Sequence, residues 1–315
     1  MSRPADYKNN NVLMLWRDKL LLVIKGFCMG MADLVPGVSG GTMAFILGIY
    51  ERLIRAISSF DRPWLFALFR GDIVTASRRP HWGFLVPLVT GIFAALLFFT
   101  RIISIPDLLI THQQQVYGLF FGLILASIVV LFGEVGRMRW LDGVMLGVGT
   151  ASGMLLVTMI PFHTPETAWF VFVSGAIAIC AMILPGVSGS FLLLLMKKYA
   201  YVMSAIGRLD LSVLIPFALG CLCGLIMFSR LLNWLLGHFY RQTLFLIKGV
   251  LLASLWALWP VQQRSYTVIN GVEHVTGITP VWPQHVSATL VESSALMLLG
   301  FVVVITLNRY TRLRK

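Results

Sequence analysis

Apolar residues run along this chain in long blocks, and six blocks are long enough to cross a bilayer as a helix, which takes about 20 residues. They cover Gly83 to Ile103, Val116 to Phe132, Leu141 to Pro161, Leu211 to Leu236, Thr243 to Trp259 and Ala288 to Leu307. Trp82, Trp140, Trp234 and Trp259 stand at or near block ends, where an interfacial aromatic belt would place them. Two further blocks, Leu20 to Ile57 and Trp169 to Ile206, are each cut by Pro-Gly-Val-Ser-Gly into arms too short for a crossing. A Pro-Gly break frees backbone groups that hydrocarbon cannot satisfy, so it must be buried in protein or line a wet cavity. A re-entrant hairpin meets both conditions. The predicted class is an all-α integral membrane protein with six spanning helices and two re-entrant helical hairpins.

The two breaks belong to an internal repeat. Pro36-Gly37-Val38-Ser39-Gly40 recurs 149 residues later as Pro185-Gly186-Val187-Ser188-Gly189, and the same offset pairs Gly26 with Gly175, Tyr50 with Tyr199 and Asp61 with Asp210. With a longer loop in the first half, Pro87, Gly91 and Arg101 match Pro216, Gly220 and Arg230. The chain therefore divides within one membrane domain, residues 1–315, into repeat 1 (20–133), a connecting span (134–168), repeat 2 (169–260), and a periplasmic loop with the last span (261–315). Three crossings separate the hairpins, so the second half enters from the opposite side. Inverted repeats of this kind build midplane sites from broken helices in secondary transporters. Small residues four apart, in Gly118, Gly122 and Ala126, in Gly143, Gly147 and Ala151, in Gly220 and Gly224, and in Gly249, Ala253 and Ala257, predict close helix packing.

Composition agrees: 58% of residues are hydrophobic, 12% are charged and the mean hydropathy is +0.84. The net charge of +12 would suggest nucleic acid in a soluble protein. Here the basic residues gather at Arg17, Lys19 and Lys25, from Arg52 to Arg79, at Arg137 to Arg139, around Arg241 and at the C-terminus, as cytoplasmic segments do. Both termini are thus predicted to be cytoplasmic, and no nucleic-acid partner is expected. The loops near Asp107, Glu166 and Glu273 are nearly free of basic residues, with Lys197, Lys198 and Arg208 as exceptions. The four cysteines lie inside apolar runs and suggest neither a metal site nor disulfides; no cofactor is expected, and no removable signal peptide.

The candidate chemistry sits at the breaks. Gly37, Val38, Ser39, Gly40, Gly41 and Thr42 read as a helix start with Ser39 as N-cap, and Gly186, Val187, Ser188, Gly189 and Ser190 repeat the pattern. Free backbone N–H groups, the helix dipole and hydroxyls favour an anion such as phosphate. Gly40 and Gly189 would let it approach the backbone. Gly37-Val38-Ser39-Gly40-Gly41 also fits the G-x-S-x-G nucleophile elbow, but that motif needs a preceding strand and a His base, and all six His map to predicted loops or span ends. An enzyme is not expected. Of the charges, Asp33 lies three residues before Pro36 and is replaced by Met182 in the second half. Its sharper role is proton or sodium coupling, its plainer one a bond to a neighbouring helix end. Glu51, Arg52 and Arg55 suit an interface, and Lys248 suits either snorkelling to its basic end or phosphate attraction.

Ala32-Asp33-Leu34-Val35-Pro36-Gly37-Val38-Ser39-Gly40-Gly41-Thr42, followed by Leu47-Gly48-Ile49-Tyr50, resembles the bacterial polyprenyl-phosphate transporter family, long catalogued as a membrane domain of unknown function, and the resemblance runs from Gly26 to Leu307. The second copy lacks the acid and the equivalents of Gly41 and Thr42. The resemblance implies a flippase of the inner membrane that returns undecaprenyl phosphate, the carrier lipid of peptidoglycan and other envelope polymers, from the outer to the cytoplasmic leaflet. The competing reading from the residues is a transporter or channel for a small soluble anion.

Overall fold

A computed structural model describes residues 16–34, 39–102, 111–133, 138–159, 164–269 and 272–313. Pro36, Gly37 and Val38 of the first break lie outside these residues, as do Asp107, Arg137 and His163. The first half comprises α1 (Trp16–Asp33), α2 (Gly40–Ile46), α3 (Tyr50–Ser58), α4 (Arg62–Phe69), α5 (Ile73–Arg78), α6 (Trp82–Arg101) and α7 (Gln113–Gly133). After α8 (Trp140–Thr158) come α9 (Ala168–Ile183), α10 (Gly189–Leu195), α11 (Tyr199–Arg208), α12 (Leu211–His238) and α13 (Tyr240–Ala257). Strands β1 (Gln262–Ile269) and β2 (Val272–Pro280) precede the last helix, α14 (Ala288–Leu313).

The six expected spans are α6, α7, α8, α12, α13 and α14, and all but α13 are long and apolar enough to cross a bilayer. Helix α13 carries Arg241 and Lys248, and Phe245, Ile247, Val250, Leu251 and Ala253 on it are all buried. Its polarity is tolerated because it is enclosed by protein rather than lipid. Helices α6, α8, α12 and α14 instead show large apolar side chains outward, among them Phe93, Leu97, Val148, Leu219, Met227 and Leu298. In water such surfaces would be costly; against acyl chains they are not.

Four close helix pairs organise the molecule, and glycine makes each of them possible. A Cβ on Gly26 of α1 would strike the Leu88 carbonyl of α6, and one on Gly30 would lie 2.6 Å from the Ile92 oxygen. Gly220 and Gly224 of α12 back onto Phe172 and Ala176 of α9; Gly118 and Gly122 of α7 onto Ser293 and Met297 of α14; Gly149 and Gly153 of α8 onto Leu246 and Ala253 of α13. Numbers rise together in every pair, so the paired helices are parallel. Since α1 and α6 start at the same level, the intervening α2 to α5 bring the chain back to where it began. The segment between α9 and α12 does the same.

On α8 the packing stripe is Gly149 and Gly153, whereas the predicted Gly143 and Gly147 have no close neighbour across a helix contact. Both sets have helical spacing, and only the position of α13 distinguishes them. A second departure lies in the hairpins. Each returning arm, expected as one helix, is two: α2 and α3 part at Leu47 to Ile49, and α10 and α11 meet at an angle of 110°. The equivalent residues Gly48 (φ +67) and Lys197 (φ +52) both take the left-handed backbone conformation that turns the chain there. A third concerns the linkers. The long loop between α3 and α6 holds α4 and α5, tied by the Asp61–Arg79 ion pair and by the Trp64 indole N–H donating to the Ala76 carbonyl at 3.0 Å. The expected loop after α13 contains an antiparallel hairpin with Gln262 opposite Pro280, braced at its base by the Trp259 indole N–H on the Val281 carbonyl at 2.9 Å.

Candidate functional site

The first hairpin tip is closed by side chains. Ser39 has extended backbone (φ −131, ψ 150) and caps α2: its hydroxyl accepts from the Thr42 N–H at 3.2 Å, and its carbonyl accepts from Met43 at 3.2 Å. The Gly40 N–H donates to the Asp33 carboxylate at 2.6 Å. Asp33 therefore reaches back across the break and satisfies a donor that the first turn of a helix leaves without a partner. Glycine is needed here because a Cβ on Gly40 would lie 2.6 Å from that carboxylate, and one on Gly41 would meet the Met182 carbonyl at 2.8 Å.

The second tip repeats the backbone but not the cap. Gly186 is left-handed (φ +93) and packs against Val250 and Leu251 of α13. Ser188 stands in the N-cap position with extended backbone, yet its side chain makes no capping bond and pairs instead with the Ser190 hydroxyl at 2.8 Å. With Met182 in place of the acid, the N–H groups of Gly189 and Ser190 find no acceptor among the described residues. A Cβ on Gly189 would lie 2.5 Å from the Ala178 carbonyl. Bulk at Gly40 or Gly189 thus meets protein before it meets any ligand.

The two tips touch. The Ser39 hydroxyl donates to the Leu184 carbonyl at 3.2 Å, and the Gly186 N–H donates to the Thr42 hydroxyl at 2.8 Å. Ser39 and Thr42 lie 3.1 Å apart, oxygen to oxygen. One proton arrangement serves all these contacts: Thr42 donates to Ser39, Ser39 donates to Leu184, and Thr42 accepts from Gly186. Ser39 is 1% exposed, Thr42 0% and Ser188 6%, so hydroxyls from both halves lie in or beside one buried junction. Of the predicted site, Ser39, Gly40, Gly41, Thr42, Gly186, Val187, Ser188, Gly189 and Ser190 are described at or next to this junction, while Gly37 and Val38 lie outside the described residues.

Of the other predicted charged residues, Glu51, Arg52 and Lys248 have partners elsewhere. Glu51 accepts from the Tyr240 hydroxyl at 2.7 Å, and Arg52 stacks over Phe84 at 4.7 Å. Arg55 is exposed on α3, one turn beyond Arg52. Lys248 does not snorkel: it is 2% exposed, its ammonium donates to the Leu131 carbonyl at 2.9 Å, and the Phe245 and Phe132 rings flank it at 4.7 and 5.3 Å. The last turn of α7 leaves carbonyls without helical donors and carries the negative end of the dipole, which accounts for a cation there.

Sequence reasoning passes over three bracing groups. Lys25 donates to the Leu47 carbonyl at 2.9 Å, at the bend between α2 and α3. At the matching bend of the second half, the Thr164 hydroxyl donates to the Met196 carbonyl at 2.5 Å and the buried Lys198 holds the Thr164 carbonyl at 2.9 Å. Asp142 takes the Arg241 guanidinium, with Nε–Oδ2 at 2.8 Å, and joins the first turns of α8 and α13. The repeat offset gives a signal for the bends, since Leu47 and Met196 stand 149 residues apart. Nothing in the spacing pairs Asp142 with Arg241.

Residues 29–275 match the sequence profile of a family described as undecaprenyl phosphate translocase-like. A relative from Vibrio cholerae, named polyprenyl-phosphate transporter, is 39% identical over 80% of this chain and 82% of its own length. One of the same name from Staphylococcus aureus is 30% identical over 77% of this chain and 87% of its own. No solved structure matches significantly.

Proposed function

The chain belongs to the undecaprenyl phosphate translocase-like family, and from that membership we propose that it carries a polyprenyl phosphate, undecaprenyl phosphate above all, across the inner membrane. The direction is from the outer to the cytoplasmic leaflet, which returns the carrier lipid for peptidoglycan and other envelope polymers. The observation that carries the reading is the buried junction where Ser39 and Thr42 meet Leu184 and Gly186. Its hydroxyl and N–H donors are of the kind that bind phosphate oxygens. In the state described here they are spent on holding the tips together. A phosphate entering between the tips replaces those bonds with its own, so that head-group binding and separation of the halves become one event. Donors of Gly189 and Ser190 on the second tip complete the shell.

Asp33 gives the site its asymmetry. A carboxylate beside a phosphate is repulsive, and a proton or sodium ion at Asp33 offsets that repulsion while the lipid crosses. The inverted repeat supplies the alternation: hairpins entering from opposite sides present the same junction to each leaflet in turn.

Leaflet exchange of a fluorescent short-chain prenyl phosphate in liposomes containing the pure protein tests the reading. Exchange well above protein-free liposomes is expected. Ser39→Ala and Ser188→Ala should each weaken binding roughly tenfold to a hundredfold, since a hydrogen bond to a charged group contributes about 1.5–3 kcal/mol. Uptake of inorganic phosphate without lipid exchange would favour the soluble-anion alternative instead.

A further inference from the structure

Beside the second tip lies a cavity of about 310 Å³ whose lining side chains are all apolar or thiol. Its floor is one stripe of α9, namely Val173, Ala176, Ile177, Cys180 and Ala181, continued by Leu184 just past the helix end, at the three- and four-residue spacing of a single helix face. At 1.5 Å per residue this stripe is about 16 Å long. It ends at Leu184 and Val187, which flank the break, and Val187 precedes Ser188 directly. Leu156 of α8 and Leu192 of α10 form the walls. Ile177 is 41% exposed, so the groove opens on its α9 side toward surrounding lipid.

The first half keeps Ala32 at the place of Ala181 and has Cys28 at that of Ile177, but it is bulkier at two other positions of the stripe. At the 149-residue offset, Ala176 corresponds to Phe27 and Cys180 to Met31. The Phe27 ring is packed against Phe98 and Phe99, with centroids at 5.8 and 5.6 Å. At the position where α1 carries Phe27 packed on the two rings of α6, α9 keeps Ala176.

We propose that this groove holds the first isoprenyl units of a prenyl phosphate whose head group sits at the second tip. The proposal rests on the reading that the tips hold a phosphate. An uncharged lining excludes the head group, and the run from Cys180 through Leu184 to Ser188 changes from apolar to hydroxyl as the substrate changes from isoprenyl to phosphate. The tail comes from lipid as apolar as the groove, so what the groove adds is close packing around the first isoprenyl units rather than their removal from water.

Binding of geranylgeranyl phosphate to the purified protein tests both readings separately. Ala176→Phe, which places in α9 the side chain α1 carries at Phe27, should weaken binding tenfold or more with an unchanged melting temperature. Wild-type affinity in a folded Ala176→Phe variant overturns the groove and leaves the transport reading intact; no binding by the wild type overturns the transport reading. Should the variant fold poorly, a geranylgeranyl phosphate carrying a diazirine in its first isoprene unit decides the matter on the wild type. Its adduct should fall on the segment holding Ile177 and Cys180, and excess geranylgeranyl phosphate present during irradiation should suppress it while phosphatidylglycerol does not. Adducts elsewhere, or equal suppression by phosphatidylglycerol, mean a general lipid cleft and overturn the proposal.

Discussion

Asp33 and Met182 occupy equivalent places in the two halves, and what separates them is a single acceptor. The Asp33 carboxylate takes the Gly40 N–H at 2.6 Å, and nothing from Met182 can do the same for Gly189. Two substitutions divide the structural share of Asp33 from its chemical one. Asp33→Ala removes the acceptor and should cost about 1.5–3 kcal/mol, read as a lower melting temperature. Asp33→Asn keeps an oxygen in the same place and should lose much less. If Asp33 also carries the coupling ion, Asp33→Asn will bind prenyl phosphate yet lose the pH or sodium dependence of transport. Unchanged dependence at a normal rate would leave it a cap and nothing more. The capping role of Ser39 is legible in the sequence, because a Ser after Pro-Gly and before an apolar run has few other tasks. The partners of Lys25 and Lys248 are not, since a buried ammonium can be satisfied by any free carbonyl the fold delivers, and only the fold says which.

At the scale of elements, helix existence follows from apolar run length, and helix contacts do not follow from small-residue spacing alone. Helix α8 shows why. It carries Gly143 and Gly147 on one stripe and Gly149 and Gly153 on another, and only the second meets α13. Gly149→Leu should therefore prevent the pair from closing, seen as loss of the monodisperse protein in gel filtration. Gly147→Leu should leave it intact and, by removing a helical glycine, raise stability by up to about 1 kcal/mol. Equal damage from both would mean that α13 packs elsewhere. The bend after α2 offers a cleaner backbone test. A Cβ on Gly48 meets nothing within 4 Å, so Gly48→Ala reports the cost of φ +67 alone. That cost should be about 1–2 kcal/mol in thermal or denaturant unfolding. The second bend carries no glycine of its own, because Lys197, a residue that seldom takes positive φ, stands where the first half has Gly48, and only the repeat offset points to it.

For the whole molecule, the four parallel pairs constrain topology independently of charge. Let α1 run away from the side on which the chain starts. Helix α6, its parallel partner, does too, and α7 returns. Helix α8 leaves again, α9 and its partner α12 come back, α13 leaves alongside α8, and α14 returns alongside α7. Every pair keeps its observed direction, which it would not if either hairpin were a crossing. The start of α1, the α4–α5 segment and the end of α14 then share one side, and the β-hairpin lies on the other. Arg17, Lys19, Arg70, Arg78 and Arg79 fall on the first side, where the positive-inside rule places the cytoplasm. Helices α4 and α5 fit there as well, with Phe66, Phe69, Ile73 and Val74 exposed as in a helix lying on a membrane surface. In a background without the native cysteines, Gln284→Cys, exposed beyond β2, should react with a membrane-impermeant maleimide added to spheroplasts. Thr75→Cys, exposed on α5, should react only after the membrane is opened. Reaction of Thr75→Cys from outside, with Gln284→Cys protected, would put the basic face outside and reverse the side from which each hairpin enters. Reaction of both from outside would mean that one break lies in a crossing helix, and the inverted repeat would fall with it.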